Sequence, residues 1–546
     1  VMNKSVLYFF PLIFLFALQP RAQTKLKYWV SFKDKNGSTF SLSNPKAFLT
    51  QKSIDRRSRY AVAYHTSDLP VIKSYITGVD TIAHVLFASK WLNGVLVSTD
   101  SAKAKQVITK IKNLSFVLDT LRVKKMRPVI EPAPSLSDIE NIAMQRGISQ
   151  TASAGYDFGN SLGQSHQLRV NCLHNDGYRG QGMTIAVMDV GFSNVDSGPV
   201  FDSIRNSGGI LGGYDFVSGG SNVYQGGSHG TMVFSCLAGN KPGTIIGTAP
   251  KASYWLFRTE DGSSETISEE YNWIRAAEYA DSVGADLFTT SLGYNLFDIP
   301  EQNHSYSMLN GRIAPMSIAA TMAARKGIFV LTAAGNEGGS GWKYIIVPAD
   351  ADSVCSVGAV DTSGTYAPFS SVGPTADGRI KPDLVATGWG SWICDPTNAC
   401  YPGNGTSFAT PILAGAVACY WQKNRTFNNM ELLKDLKNHA SQKNNPDNKL
   451  GWGVPELSTC TWPDLPFDFK VYYEPNKSQL TIELERTNYD YVKILVTDLN
   501  GKKIAETGSL ETKALNFYLN ADMLANCIYL IKVQTSKGSG HKFLLR

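Results

Sequence analysis

What this chain of 546 residues lacks narrows it first. It holds no apolar run of the roughly 20 residues that a membrane-spanning helix needs. The apolar stretch from Val6 to Leu18 falls well short of that length, and nothing later exceeds it. A helical membrane span is therefore not expected once that first stretch is removed. A dominant charge is also missing. The formal net charge of +6 is small and dispersed along the chain, so it gives no argument for a nucleic-acid partner. No compact Asp/Asn cluster has the spacing of calcium ligands, which leaves a structural calcium ion unreadable from the sequence. Nor can one core of ordinary size hold so many residues, so several domains are expected.

What is there begins with a basic start at Lys4, a short apolar core and the small residue Ala22 before a polar chain. That order is the pattern of a secretory signal peptide, residues 1–23, with removal expected at about Ala22 or Gln23. Eight cysteines in an exported protein allow disulfides. Cys394 and Cys400 flank Asp395-Pro396-Thr397-Asn398, a turn-forming sequence, and are expected to bridge. Cys236 and Cys419 lie in apolar helical contexts and are expected as buried thiols.

The stretch that organises the chain is Asn404-Gly405-Thr406-Ser407-Phe408-Ala409-Thr410-Pro411, which opens the apolar run Ile412 to Trp421. Such a run reads as a buried helix, with Pro411 placed in its first turn. Ser407 then sits at the helix start, beside unpaired N–H groups and the positive end of the dipole. On its own it would be an ordinary N-cap. Two further stretches argue otherwise. The strand-like run Met183 to Met188 ends in Asp189, and Gly226-Gly227-Ser228-His229-Gly230-Thr231 places a histidine in a glycine-rich loop. Asp189, His229 and Ser407 follow one of the known chain orders of a serine-hydrolase triad.

With these segments the chain resembles the subtilisin-like serine proteases, or subtilases. The resemblance also includes Ala333-Ala334-Gly335-Asn336-Glu337-Gly338, Ser356-Val357-Gly358-Ala359-Val360, Phe369-Ser370-Ser371-Val372-Gly373-Pro374 and Lys381-Pro382-Asp383, and covers roughly residues 150–457. Met232 stands where many subtilases carry a second histidine. The resemblance implies a secreted serine endopeptidase acting on protein or peptide substrates, with no cofactor needed for the chemistry. Ser407 would be the nucleophile, His229 the general base and then acid, and Asp189 the group that orients the imidazole. Asn336 would be the oxyanion donor beside the Ser407 N–H. Ser291-Leu292-Gly293 resembles the segment that pairs with the substrate backbone, and Ala333-Ala334-Gly335 would form a wall of the specificity pocket. Neither segment carries charge, so an apolar or small side chain before the scissile bond is expected.

Alternation of apolar runs with helical stretches in this region, such as Ser268 to Ser282, predicts an α/β fold: a mainly parallel sheet with helices on both faces. Residues 24–135 carry a small α+β pattern, with strands at Tyr28 to Phe32 and Gly94 to Ser98 and a helix from Ser101 to Ile111. A connector follows, basic at Arg122 to Arg127 and broken by Pro128, Pro132 and Pro134. In an exported subtilase-like chain this segment is expected to be an inhibitory pro-domain. After the linker at Pro463 and Pro466, residues 468–546 alternate as a small antiparallel β-sandwich, with Asn500-Gly501 marking a hairpin. Val496 to Lys502, Ile528 to Val533 and the tail Lys542-Phe543-Leu544-Leu545-Arg546 resemble the C-terminal sorting domain of the bacterial type IX secretion system. Cys527 stands where such domains usually have glycine. The machinery of that system is thus an expected partner, with the protein released or attached at the outer cell surface. Three alternatives stay open at this point: an inactive subtilase fold kept for surface binding, an esterase using the same triad, and a substrate- or carbohydrate-binding rather than sorting sandwich.

Overall fold

A computed structural model describes residues 25–123 and 156–458, and in the carboxyl-terminal part residues 469–474, 478–484, 489–498, 503–506, 510–512, 516–520, 528–535 and 538–545. The leader, the prolines of the connector, Pro463, Pro466, the Asn500-Gly501 turn and Cys527 lie outside the described residues. Among the described residues no helix is long and apolar enough to cross a membrane.

Residues 156–458 are built on seven strands whose pairings are all parallel. In spatial order they are Leu384–Thr387, Cys355–Val360, Phe329–Ala333, Leu287–Thr290, Thr184–Asp189, Ser253–Arg258 and Ile210–Asp215. Strand residues alternate faces, and the packing follows that period of two. Ile185, Val187, Leu287 and Leu331 join the helices His229–Ala238 and Thr406–Lys423 on one side. Ala186, Met188, Phe288 and Val330 join Ser268–Ser282 and Pro315–Arg325 on the other. This is the expected two-faced sheet. The strand Thr184–Asp189 starts one residue later than the apolar run does, because the Met183 N–H turns back to the Gly180 carbonyl. At its other end, Asp189 is the last strand residue.

Residues 25–123 form a four-stranded antiparallel sheet in the order His84–Ser89, Gly94–Asp100, Lys25–Phe32 and Val117–Val123. Its own core uses Val30, Val95 and Val97 with Val79 and Ile111 from the helices Lys73–Asp80 and Ala104–Lys112. The helix expected from Ser101 begins at Ala104. The three residues before it form a turn, in which the Lys103 N–H bonds the Asp100 carbonyl. The alternate strand residues Trp29 and Leu96 face the catalytic region, where Trp29 stacks on Tyr271 at 5.2 Å.

The carboxyl-terminal strands form two antiparallel sheets. Phe469, Leu480, Ile482 and Leu484 of one share a core with Ile494, Val496, Ile531 and Val533 of the other. That is the sandwich read from the alternation. Tyr489–Asp498 and Lys503–Glu506 pair antiparallel, as two strands flanking an Asn-Gly turn should.

Candidate active site

The site residues collect at the carboxyl ends of the parallel strands, where ligands bind in open sheets of this kind. Asp189 ends the strand Thr184–Asp189 and is fully buried. His229 is not in a loop, as its glycine-rich setting suggested, but is the first residue of the helix His229–Ala238. The following Thr231 hydroxyl bonds the Ser193 carbonyl and fixes that start. His229 Nδ1 lies 2.8 Å from Asp189 Oδ1, so in the neutral ring the Nδ1–H donates to the carboxylate and Nε2 is left as an acceptor. Burial pulls the imidazole pKa down, but the Asp189 charge, its hydrogen bond and the charge of Glu260 outweigh this and raise it.

Ser407 is the second residue of the helix Thr406–Lys423, and its cap position is held by Gly405. The N-cap role is therefore filled without the Ser407 hydroxyl. That hydroxyl donates to the Ser291 carbonyl at 3.1 Å, and the Ser291 hydroxyl donates back to the Ser407 carbonyl at 2.7 Å. Pro411 explains the second bond. It stands at the sixth helical position, beyond the first turn where the sequence placed it, so it does remove a helical hydrogen bond. The carbonyl deprived of its partner is that of Ser407, four residues earlier, and Ser291 supplies the missing donor. Among the described residues no hydrogen bond joins Ser407 to His229; the ring of the next residue, Phe408, lies 6.1 Å from the imidazole.

Asn336 stands in the turn after the strand Phe329–Ala333 and is exposed. Its Oδ1 accepts from the Thr406 N–H at 2.9 Å and from the Thr406 hydroxyl at 3.1 Å. The backbone donor fixes which amide atom is oxygen, leaving Nδ2–H free to donate outward. The Ser407 N–H is one of the helix-start donors with no helical acceptor. Gly335, at φ +111°, donates to the Thr406 hydroxyl, and a Cβ there would come within 2.7 Å of the Ser371 hydroxyl. Ser291, Leu292 and Gly293 follow the strand Leu287–Thr290, beside Ser407. Ala334 pairs with Val357 and Ile346 in the wall next to Gly335. So the structure brings Asp189 to His229, Ser291 to Ser407, and Asn336 to the residue before Ser407.

Cys394 and Cys400 are bonded, closing a hairpin of Trp389–Cys394 and Cys400–Asn404 that runs directly into Gly405. Tyr401 on this hairpin donates to the Met232 sulfur at 3.6 Å, one helical turn from His229. Cys236 and Cys419 are buried thiols, as expected, while Cys172 is also disulfide-bonded, which its sequence setting did not announce. Glu260 was missed as well. It follows the strand Ser253–Arg258, whose Arg258 is in register with Asp189. Burial, with Glu265 and Asp189 adding and His229 opposing, pushes its carboxyl up to about 8. Among the described residues no group of three or more His, Cys, Asp or Glu side chains is placed to hold a metal ion.

The model of the Subtilase family matches residues 180–453, that of the Peptidase S8 propeptide domain of Bacteroidota matches 27–136, and that of the Secretion system C-terminal sorting domain matches 470–545. Subtilisin NAT of Bacillus subtilis subsp. natto is 29% identical over 377 residues, covering 68% of this chain and 86% of that protein. Subtilisin of Bacillus pumilus is 32% identical over 279 residues, covering 50% and 90%. Alkaline elastase YaB of Bacillus sp. (strain YaB) is 30% identical over 290 residues, covering 52% and 66%. The first family model spans half of the chain, and the subtilisin of Bacillus pumilus is matched along nine-tenths of its length. The chain therefore belongs to the subtilase family, as a serine endopeptidase carrying a propeptide domain and a type IX sorting tail.

Proposed function

We infer that Asp189, His229, Ser407 and Asn336 carry out peptide-bond hydrolysis in this protease. The observation that bears most weight is the Asp189–His229 bond of 2.8 Å, beside a helix start that presents Ser407 and orients Asn336. Rotation of the Ser407 side chain away from the Ser291 carbonyl brings its Oγ–H to His229 Nε2. Catalytic hydrogen bonds are commonly long or unmade in the free enzyme. Oγ then attacks the scissile carbonyl as His229 takes the proton. Asp189 stabilises the imidazolium, and the proton passes to the leaving amine. The oxyanion accepts from the Ser407 N–H and Asn336 Nδ2–H, both held before the charge develops. Water repeats the sequence on the acyl-enzyme. Subtilases need no cofactor for this chemistry, and every step uses groups of the chain itself.

Substrate is held as an added strand against Ser291-Leu292-Gly293, and the uncharged Ala333-Ala334-Gly335 wall favours a small or apolar residue before the cleaved bond. The chain divides into a signal peptide (1–23), an inhibitory pro-domain (24–135), the catalytic domain (150–457) and the sorting sandwich (468–546). It crosses the inner membrane, then leaves by the type IX route to the surface or medium. Truncation at Pro466 should trap an active protease in the periplasm; normal secretion of the truncated chain would refute the sorting role. For the chemistry, Ser407→Ala should abolish peptide hydrolysis while leaving the fold intact by circular dichroism. Hydrolysis at the wild-type rate would overturn the assignment.

A further inference from the structure

The pro-segment touches the catalytic region in a second place, far from the substrate cleft. Residues 45–69 leave the four-stranded sheet after Phe32 and return to it only before Lys73–Asp80. They carry the helix Gln51–Arg59 to the amino ends of the parallel strands. Thr50, the cap of that helix, gives both its N–H (3.0 Å) and its hydroxyl (2.8 Å) to the Ser282 carbonyl. Lys52 bonds the Thr184 hydroxyl, and Arg56 bonds the Ala285 carbonyl and Asp281. Arg57 grips Asp68 with both nitrogens, at 2.9 and 3.0 Å, and reaches Asp281 Oδ2 at 2.8 Å. Lys326 of the catalytic region in turn bonds Asp68.

The charges are thus crossed. Arginines of the pro-segment hold a catalytic-domain aspartate, and a catalytic-domain lysine holds a pro-segment aspartate. Arg56 and Arg57 are each 1% exposed, and Asp68 and Asp281 are 0% exposed. Tyr60 then stacks on the buried Trp421 at 5.4 Å. Gly284 makes room for all of this. At φ +83° it turns the chain between Ser268–Ser282 and Leu287–Thr290, and a Cβ on it would lie 2.7 Å from Ser53 N and Lys52 Cγ.

Thr184 and Asp189 are opposite ends of one six-residue strand, about 17 Å apart at the usual rise per residue. No substrate occupying the cleft can compete for the amino end. We propose that residues 45–69 are a non-substrate anchor that keeps the cleaved pro-segment bound to the protease, so that loss of this anchor limits activation. The inference rests on the reading of residues 24–135 as a pro-domain that is cut from the enzyme. Two footings on one rigid body act as a bivalent ligand, because release of either leaves the other holding it at high local concentration. Removing one partner of a buried ion network is costly because the rest of the charges stay buried, which is why the crossed pairs make a latch.

The test uses the full chain with a site-specific protease sequence inserted in the connector and cut after purification. Gel filtration at about 1 M NaCl, where charge screening acts within roughly 3 Å, then separates fragments held only by surface charge. The wild-type pro-fragment should co-elute with the protease, and a peptide substrate should be hydrolysed only after a lag. Gly284→Asn keeps a residue that tolerates positive φ but fills the space under Lys52. It should release the fragment and shorten the lag by about tenfold or more, and Arg57→Ala by more still. If Arg57→Ala does not fold, Gly284→Asn decides. Separation of the wild-type fragments on the first column overturns the proposal, as does release from Gly284→Asn at the wild-type rate. Co-elution is read without activity, so a bound pro-fragment on a chain that never hydrolyses peptide would count against the protease reading and not against the anchor.

Discussion

On the proposed mechanism, replacing Asn336 by alanine removes one of two donors offered to the oxyanion, and it also removes the acceptor of two Thr406 bonds. The side chain spends its oxygen on Thr406, through bonds of 2.9 and 3.1 Å, and keeps only the amide N–H groups for the substrate. Loss of one oxyanion donor in subtilisin costs about 3 kcal/mol, which is about two decades in rate. The expected outcome for Asn336→Ala is therefore a fall of about a hundredfold in kcat, with KM within about twofold, because the donor is needed where charge develops. The same variant leaves the Thr406 N–H without its acceptor, a stability cost of about 1–3 kcal/mol. Asn336→Asp separates the two effects. It keeps an oxygen for Thr406 but meets the oxyanion with another oxygen in place of a donor. It should melt close to the wild type and lose at least as much kcat. Stopped assays with a fluorogenic peptide, beside thermal melts, give both numbers. Wild-type kcat in Asn336→Asp, or a change confined to KM, would refute the reasoning.

Three further outcomes follow from the same geometry. Ser291→Ala should cost about 1–3 kcal/mol in denaturant unfolding, since the Ser407 carbonyl freed by Pro411 loses the hydroxyl that donates to it; an unchanged midpoint would contradict this. Reducing or replacing Cys394 and Cys400 opens a loop of six bonds in sequence, for which chain entropy gives about 2 kcal/mol, and the hairpin entering Gly405 should become protease-sensitive; equal digestion of both forms would count against it. His174, 1% exposed beside the Thr248 carbonyl, has its pKa pulled down to about 4 by burial. Its folded value lies below the unfolded 6.5, so it penalises stability as pH falls from 6.5 towards 4 and adds nothing to the slope above 6.5. His174→Gln should remove about 3 kcal/mol of that acid-side loss, read from urea midpoints against pH. Parallel curves for both proteins would be the contrary result.

The parts that could be read from the sequence are those marked by near neighbours. Asp189 closes an apolar run, Ser407 opens another, and His229 and Asn336 sit among glycines, so each announces itself within a few residues. The two-faced sheet was legible for the same reason, through runs whose length and alternation are local. What could not be read depends on distance. Arg56 and Arg57 look like solvated charges on a polar helix, and their burial rests on partners far along the chain, the Ala285 carbonyl and Asp281, 224 residues beyond Arg57, as well as on the nearer Asp68. Glu260 has no motif, and its raised pKa comes first from burial, with the charges of Glu265 and Asp189 adding to it. Pro411 shows the limit at close range. Its helical position hangs on where the helix begins, and the hydroxyl that meets the carbonyl it frees comes from Ser291, 116 residues earlier.

The nucleophile is the centre of the account, and one measurement addresses it most directly. The processed protein is treated with a fluorophosphonate, digested without reduction, and the adduct is located by tandem mass spectrometry. The account predicts a single adduct on Ser407, formed in step with loss of peptide hydrolysis, and absent after His229→Ala. An adduct on any other residue, or complete inhibition with Ser407 unmodified, would contradict it.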